Sequence, residues 1–295
     1  MPTAMTIKEL NMELIKTSLK KEDFSTKISL ASATGLSVAT CGNILNELVV
    51  SGEALELDLG DSTGGRPSKR FKYNKDIYTT LSLYVRKEGR TNTISYAVSN
   101  LLGEAIYEQT LPYEHISIHE IDALIREILL QHPNIRVLAI GVPGIVLKGA
   151  ITYCDFEDLC DFEMSKHLEK TFSMKVIVEN DVNVSALGFF QKGNHTNEDS
   201  LVYVYYPING GPGAGIIVNG AIIRGASNYA GEVANIPFGL YSDELAALQN
   251  DFNGFNLHVA KTIIAINCII NPKVVVLSGL CFSKVAIRNI QSLIK

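Results

Sequence analysis

Four short stretches of this 295-residue chain hold residue types able to do chemistry. Glu179-Asn180-Asp181 sets two carboxylates around an amide at the end of an apolar run. Gly141–Gly144 and the glycine-rich run Gly210–Gly215 stand at the ends of two further apolar runs. Ala230-Gly231-Glu232 forms a fourth polar cluster in a loop. Strand ends in α/β sheets are where ligands usually sit, so these loops are the first candidates for a small-molecule site. Glu179-Asn180-Asp181 has a second reading, a strand-end turn in which Asp181 caps the next helix. The glycine run likewise reads as a tight β-turn. Cys154, Cys160 and His167 invite a metal reading, but their spacing fits no common zinc pattern. The five cysteines are odd in number and include no Cys-x-x-Cys pair, which predicts reduced thiols and a cytoplasmic protein.

A second group of residues suits nucleic acid. Residues 1–75 carry ten Lys/Arg against nine Asp/Glu, whereas the rest of the chain carries 16 against 22. Five of those ten, Arg66, Lys69, Arg70, Lys72 and Lys75, fall within ten positions. A local basic patch matters more for phosphate contact than the whole-chain charge of −5. Upstream, Ile7, Leu10, Leu14 and Ile15 share one helical face. A short helix follows the polar stretch Lys20–Lys27 and ends near Gly35, where a left-handed glycine reverses the chain. Ser37 is placed to cap the next helix. Its apolar stripe is Val38, Cys41, Ile44, Leu45, Leu48 and Val49, which leaves Ala39, Thr40, Asn43 and Asn46 outward to approach base edges in a major groove. After Gly52 the pattern alternates, passes through Asp-Ser-Thr-Gly-Gly-Arg-Pro-Ser-Lys-Arg at 61–70, and alternates again at Phe71 and Tyr73. That is a strand, a tip and a strand, with Arg66 held for a minor groove and Lys69 for a phosphate. The sum predicts a winged helix-turn-helix over 1–75 that binds double-stranded DNA through Ser37, Thr40, Asn43, Arg66 and Lys69. The plainer alternative is a helical hairpin for protein contact with a solvated basic turn.

Positioning the first group requires an α/β body. Hydrophobic residues make up 46% and charged residues 19%, the balance of a folded chain with a sizeable core. Strands are predicted at 79–86, 92–99 and 104–111, with a turn at Asn100–Gly103. His119–Leu130 reads as a helix with Ile121, Leu124, Ile125 and Ile128 on one face. A buried strand at 137–144, a helix at 161–172, a strand at 176–181 and a helix at 184–191 follow. Residues 201–225 read as a strand, a glycine-rich turn, a strand and a hairpin through Asn219-Gly220. A helix at 257–270 and a final buried strand at 273–279 complete the pattern. There is no run of about 18 apolar residues and no secretory signal at the start, so no membrane association is expected.

These residues together resemble the ROK family (repressors, open reading frames and sugar kinases), in its transcriptional-regulator branch. The text Leu-Ala-x-x-Thr-Gly-Leu-Ser at 30–37 and Ser-Thr-Gly-Gly-Arg-Pro at 62–67 carry the N-terminal likeness. In the body it is carried, in order, by Gly141-Val-Pro-Gly144, Glu179-Asn-Asp-Val-Asn183, Gly211–Gly220, Gly225–Glu232 and Asn271–Gly279. The resemblance runs from about residue 5 almost to the C-terminus. It implies an actin/hexokinase-like (ribonuclease H-like) body of two lobes, here 76–190 and 191–295, with a sugar cleft between them. It also implies a homodimer or homotetramer presenting paired DNA heads. Asn180 and Asp181 match the family pair that hydrogen-bonds sugar hydroxyls, and Glu232 matches a further sugar contact; carboxylates and an amide suit vicinal hydroxyls.

Departures from the family pattern shape the functional expectation. The Asp-x-Gly-x-Thr phosphate loop of the kinases is replaced by Leu-Ser-Leu-Tyr-Val-Arg-Lys-Glu-Gly-Arg-Thr at 81–91. The second phosphate loop, Gly-Thr-Gly-x-Gly, reads Asn209-Gly210-Gly211-Pro212-Gly213. Phosphoryl transfer depends on cradling phosphates and Mg²⁺, so no ATP chemistry and no catalytic residue are expected. The family's zinc-binding His is Asn235 and its cysteine-rich loop is missing, so no metal or other cofactor is expected. The stretch from Phe238 to Phe255 is short for the family, and the sequence ends at Lys295, soon after the Ser278-Gly279-Leu280 turn, where family members continue for another helix that completes the first lobe; a truncated sequence and an incomplete lobe are the two expectations. The reading is a cytoplasmic regulator, a repressor of carbohydrate-related genes, that binds an operator and a sugar or sugar derivative. Its rivals are a sugar kinase that also binds DNA and a ligand-free regulator whose body only oligomerises.

Overall fold

The computed structural model describes residues 6–58, 68–208, 210–239, 244 and 247–294. The chain divides into two compact units, Met1–Thr80 with Val98–Tyr107, and Leu81–Ala97 with Glu108–Lys295.

The first unit opens with α1 (Ile7–Leu19), which starts on a capping box: Thr6 accepts from the Glu9 N–H and Glu9 accepts from the Thr6 N–H. Its buried stripe is Met12, Ile15 and Leu19, while Ile7, Leu10 and Leu14 are 80%, 52% and 42% exposed. The expected face of Ile7, Leu10, Leu14 and Ile15 is thus corrected by about a third of a turn: only Ile15 enters the core. Helix α2 (Lys27–Thr34) ends on Gly35 at φ 72°, the left-handed reversal that glycine adopts without strain. Helix α3 (Val38–Val50) starts on Ser37, whose Oγ accepts from the Thr40 N–H at 3.0 Å. Its core stripe is Cys41, Ile44, Leu45 and Leu48, with Val49 packed beside it; Val38 is exposed instead. The axes of α2 and α3 turn by 114° across the three intervening residues. Strands β1 (Ala54–Leu57) and β2 (Arg70–Tyr73) pair antiparallel, Ala54 opposite Tyr73 and Leu57 opposite Arg70. Ala54, Phe71 and Tyr73 close the same core as the helices. Ser25 exchanges backbone hydrogen bonds of 2.8 Å with Phe71, which ties the α1–α2 connection to the hairpin. The tip at 59–67, with Arg66, lies outside the described residues.

Two larger sheets follow, the greater part of each in the second unit. The first has the order β5-β4-β3-β6-β9, from β3 (Thr79–Glu88), β4 (Thr91–Ser99), β5 (Ala105–Tyr113), β6 (Ile135–Val142) and β9 (Lys175–Asn180). Helix α4 (Ile118–Gln131) precedes β6 and buries Ile121, Leu124, Ile125 and Ile128, the expected face. Between β6 and β9 lie a small hairpin, β7 (Gly144–Leu147) with β8 (Ala150–Cys154), and α5 (Met164–Phe172). The hairpin was not expected, and α5 starts three residues after the predicted 161. Helix α6 (Asp181–Lys192) leaves the end of β9 and packs on the second sheet, order β12-β11-β10-β13. That sheet comprises β10 (Leu201–Tyr205), β11 (Gly213–Val218), β12 (Ala221–Ile222) and β13 (Val274–Ser278). Asn219 and Gly220 take positive φ of 51° and 71°, the turn the hairpin reading called for. Helix α7 (Phe252–Ile269) precedes β13, which is half-buried, not buried as expected, because among the described residues it has a strand neighbour on one side only. The structure also has a helix the sequence reading did not expect after the final turn, α8 (Lys284–Leu293). It packs on α7 and buries Ala286 and Ile290, of which Ile290 joins the core there.

Candidate functional site

Two parallel strands bring the predicted small-molecule loops together. Strand β6 pairs with β9 so that Gly141 stands opposite Glu179 and Val142 opposite Asn180. The chain then turns into α6, and the cap is Asn180: its Oδ1 accepts from the Asn183 N–H at 2.9 Å. The alternative reading, with Asp181 as the cap, is corrected. Asp181 is the first helical residue, and the strand predicted to reach 181 stops at Asn180. The Asn180 amide also donates from Nδ2 to the Gly144 carbonyl at 2.9 Å, locking the two loops to each other. That leaves Asn180 one lone pair and one N–H for a ligand.

Asp181 is 6% exposed. Its Oδ1 accepts from the Val182 N–H at 2.9 Å, and its own backbone N–H also bonds the carboxylate. Burial is the main reason its pKa is raised to about 7, and the negative charge of Asp155 adds to it. Tyr84 lies near enough to feel that carboxylate; burial pushes its hydroxyl up to about 12, and it stands 3.4 Å from Ser185 Oγ. Glu179 faces another way. Its Oε2 accepts from Arg224 Nε and Nη2 at 2.8 and 2.6 Å, and its Oε1 from Asn183 Nδ2 at 3.1 Å. Glu179 therefore fastens the β9–α6 turn to the segment after β12.

Glu232 reaches the same region by a different route. The Ala214 N–H donates to the Gly231 carbonyl at 2.7 Å, and the Ala234 N–H donates to Pro212 at 3.1 Å. The described part of the glycine-rich run is thus tied to the loop that carries Glu232. Gly231 sits at φ 102°, and a Cβ there would fall 1.9 Å from the Ala214 carbonyl oxygen, so no side chain fits. Burial raises the pKa of Glu232, and so does Asp155. Asn235 closes the short turn after it, donating its N–H to the Glu232 carbonyl at 3.0 Å.

At the ends of β3 and β10, side chains bond to each other. Arg86 Nη2 donates to Tyr205 Oη at 2.9 Å and pairs with Glu88, and Tyr205 Oη donates to Glu88 at 2.5 Å. Glu88 also accepts from the Ile208 N–H at 3.3 Å. This links the end of β3 to the end of β10. The sequence reading passed over these residues, and over Asp155, which follows the unexpected β7–β8 hairpin. Cys154, Cys160 and His167 do not converge as ligands. His167 Nε2 is bonded to Asp122 at 2.9 Å, Cys160 Sγ donates to the Cys154 carbonyl at 3.3 Å, and burial pushes the Cys154 thiol up to about 12.

In the first unit Ser37, Thr40 and Asn43 lie together at the start of α3. Ser37 Oγ is 2.9 Å from Thr40 Oγ1. Thr40 and Asn43 line a groove of about 460 Å³ with Ile7, Lys8 and Glu47 of α1 and α3, and Lys8 pairs with Glu47 at 2.9 Å. Lys69 enters β2 and pairs with Glu56 at 2.5 Å, an exposed pair that a phosphate could replace. Arg70 stacks over Phe24 at 4.8 Å. No single helix among the described residues is long and apolar enough to cross a membrane.

Comparison with known proteins fits this geometry. The chain is 26% identical over 251 residues to the xylose repressor of Caldicellulosiruptor bescii, covering 80% of this chain and 61% of the relative. It is 24% identical over 242 residues to the xylose repressor of Bacillus subtilis, covering 78% and 61%. The chain thus spans about three-fifths of the length of the curated relatives it matches. A crystal structure of a ROK family transcriptional regulator, a homologue of the E. coli MLC protein, superposes with a TM-score of 0.75 at 17% identity, over 98% of this chain and 88% of that one. The ROK family model itself matches residues 88–244, and the chain belongs to the ROK family.

Proposed function

We propose that this chain is a sugar-responsive DNA-binding regulator, a repressor of carbohydrate-related genes. The observation that carries the sugar side is Asp181, nine-tenths buried at the turn that also presents the Asn180 amide, with burial raising both its pKa and that of Glu232. A carboxylate buried against its charge gains from further hydrogen-bond donors, and vicinal sugar hydroxyls are matching donors. The name of the relatives makes xylose the first sugar to test.

The DNA side is supported by helix geometry. Two helices meeting at 114° over a three-residue turn that begins with a left-handed glycine match a helix-turn-helix, and the β1–β2 hairpin stands where a wing belongs. In this reading Thr40 and Asn43 meet base edges, Ser37 and Lys69 meet phosphates, and Arg66 enters the minor groove. Two such heads in a dimer grip a roughly palindromic site. Sugar bound at Asn180, Asp181 and Glu232 favours one arrangement of the body over another and so shifts DNA affinity.

An Asp with a pKa near 7 is also what a sugar kinase needs as general base, so the enzymatic reading has one observation in its favour. Against it, Arg86, Glu88 and Tyr205 occupy each other where phosphates would need donors. Two experiments separate the readings. Asp181→Ala is expected to abolish the sugar response while DNA binding survives; a response that persists places the pocket elsewhere. ADP release on mixing with ATP and sugars would establish the kinase.

A further inference from the structure

Among the described residues, side chains tie the two larger sheets to each other at two places. At one, Glu179 at the end of β9 is held by Arg224 from the segment after β12. The other joins the last residue of β3, Glu88, to the last residue of β10, Tyr205. The Glu88 side chain is only 17% exposed, and its carboxylate accepts from Tyr205 Oη at 2.5 Å, from the Ile208 N–H at 3.3 Å and from Arg86. Arg86 Nη2 also donates to Tyr205 Oη at 2.9 Å, and its guanidinium lies 5.6 Å from the centre of the Tyr205 ring. The bonds close a ring of three side chains, two from the first sheet and one from the second. Tyr205 Oη both donates and accepts in it, and burial, with the Glu88 bond, raises its pKa to about 12, so the hydroxyl stays a donor at neutral pH.

The sheet orders set the two ties apart. In the first sheet β3 stands two strands from β9, and in the second β10 stands two strands from β12. At ~4.8 Å per strand the ties are separated by about 10 Å in each sheet. Two attachments so spaced leave rigid sheets one relative motion, rocking about the line through both; a single attachment would leave swivelling as well. Parting the sheets at the β3–β10 end would carry Tyr205 and Ile208 away from Glu88. A carboxylate largely out of water would lose two of its three donors, and Arg86 would lose the Tyr205 acceptor, so the parted state is disfavoured.

We propose that Arg86, Glu88 and Tyr205 form a standing clasp that keeps the two sheets in one mutual arrangement while no ligand is bound. The clasp is a property of the body alone, whichever small molecule the body takes. A ligand that rearranges the body does so by rocking the sheets about the two ties or by opening the clasp.

The test is a spin-label distance measurement, by double electron–electron resonance, on the full chain without ligand. One label goes on Lys175→Cys at the start of β9 and the other on the native, exposed Cys268 in α7, with Cys160 and Cys281 replaced by serine; Cys41 and Cys154 are buried. Lys175 lies at the opposite end of β9 from Glu179, and α7 leads to Val274, which pairs with Leu201 at the opposite end of β10 from Tyr205. The parent is expected to give one narrow distance. Tyr205→Phe keeps the ring and removes Oη, and Glu88→Gln keeps the shape and removes the charge; each, shown to be folded by circular dichroism, is expected to add a second distance population. Hydrogen exchange at the Ile208 amide, read by mass spectrometry, is expected to be at least ~tenfold faster in Glu88→Gln. Folded variants that keep the single parent distance overturn the proposal even if that amide exchanges faster, because the ring is then a local tie. Two populations in the parent overturn it whatever the variants do.

Discussion

Asp181→Asn gives the sharpest test of how the site is built. The parent carboxyl has a pKa of about 7 in the folded protein against 3.8 for an ordinary aspartate. A carboxyl whose pKa is raised by folding stabilises the native state while it is protonated, and that contribution is lost as pH rises through the folded value. At ~1.4 kcal/mol per pKa unit the full span is about 4 kcal/mol. Between pH 5 and pH 8 linkage leaves about 2.5 kcal/mol of it, because the unfolded carboxyl is already largely ionised at pH 5. Asparagine keeps the shape and never ionises. The variant is therefore expected to gain on the parent by about 2.5 kcal/mol between those pH values. Urea unfolding followed by circular dichroism at pH 5 and pH 8 reads this directly. Glu232 and Asp155 have raised pKa values as well, so the parent itself loses stability over the same range. A difference between variant and parent that changes by less than about 0.5 kcal/mol would refute the claim that Asp181 is held against its charge.

Four further outcomes follow. Ser37→Ala removes the acceptor of the Thr40 N–H and is expected to cost about 1 kcal/mol, seen as earlier urea unfolding of the first unit. Gly231→Ala forces a Cβ onto the Ala214 carbonyl at a positive φ; a loss of at least ~2 kcal/mol in thermal or urea unfolding is expected. Lys69→Ala should weaken DNA binding evenly across sequences and lower the salt slope by about one, whereas Arg66→Ala should also relax a preference for A·T-rich sites; anisotropy titrations over salt distinguish the two.

The sequence was most readable where periodicity and a punctuating residue agreed. Gly35, Ser37 and the stripe Cys41, Ile44, Leu45, Leu48 are in place because a left-handed glycine, a cap and a 3.6-residue period specify one local structure. Helix α1 was misread by its own composition. Ile7, Leu10 and Leu14 are apolar and in phase with Ile15, but the core contacts of Met12 and Leu19 decide which side turns inward. The β7–β8 hairpin escaped because its turn is Lys148-Gly149, with φ of 52° and 83°, and lysine is an unusual residue for that conformation. Missing the hairpin hid Asp155. Helix α8 was legible in principle, with Ser283 as its cap and Ala286 and Ile290 one turn apart, but the reading stopped at the strand before it. Glu88, Arg86 and Tyr205 were not legible at all: their bonds join strands more than a hundred residues apart in the chain.

The central claim is that one chain couples DNA affinity to a sugar. Fluorescence anisotropy of the gene's own upstream DNA, at fixed salt, with and without a panel of neutral sugars led by xylose, tests it most directly. Specific binding that one sugar shifts by fivefold or more is the predicted result, since allosteric coupling of ~1 kcal/mol or above corresponds to that change. Specific binding that no sugar shifts would leave a DNA-binding protein whose body only oligomerises, and the absence of specific binding would contradict the account outright.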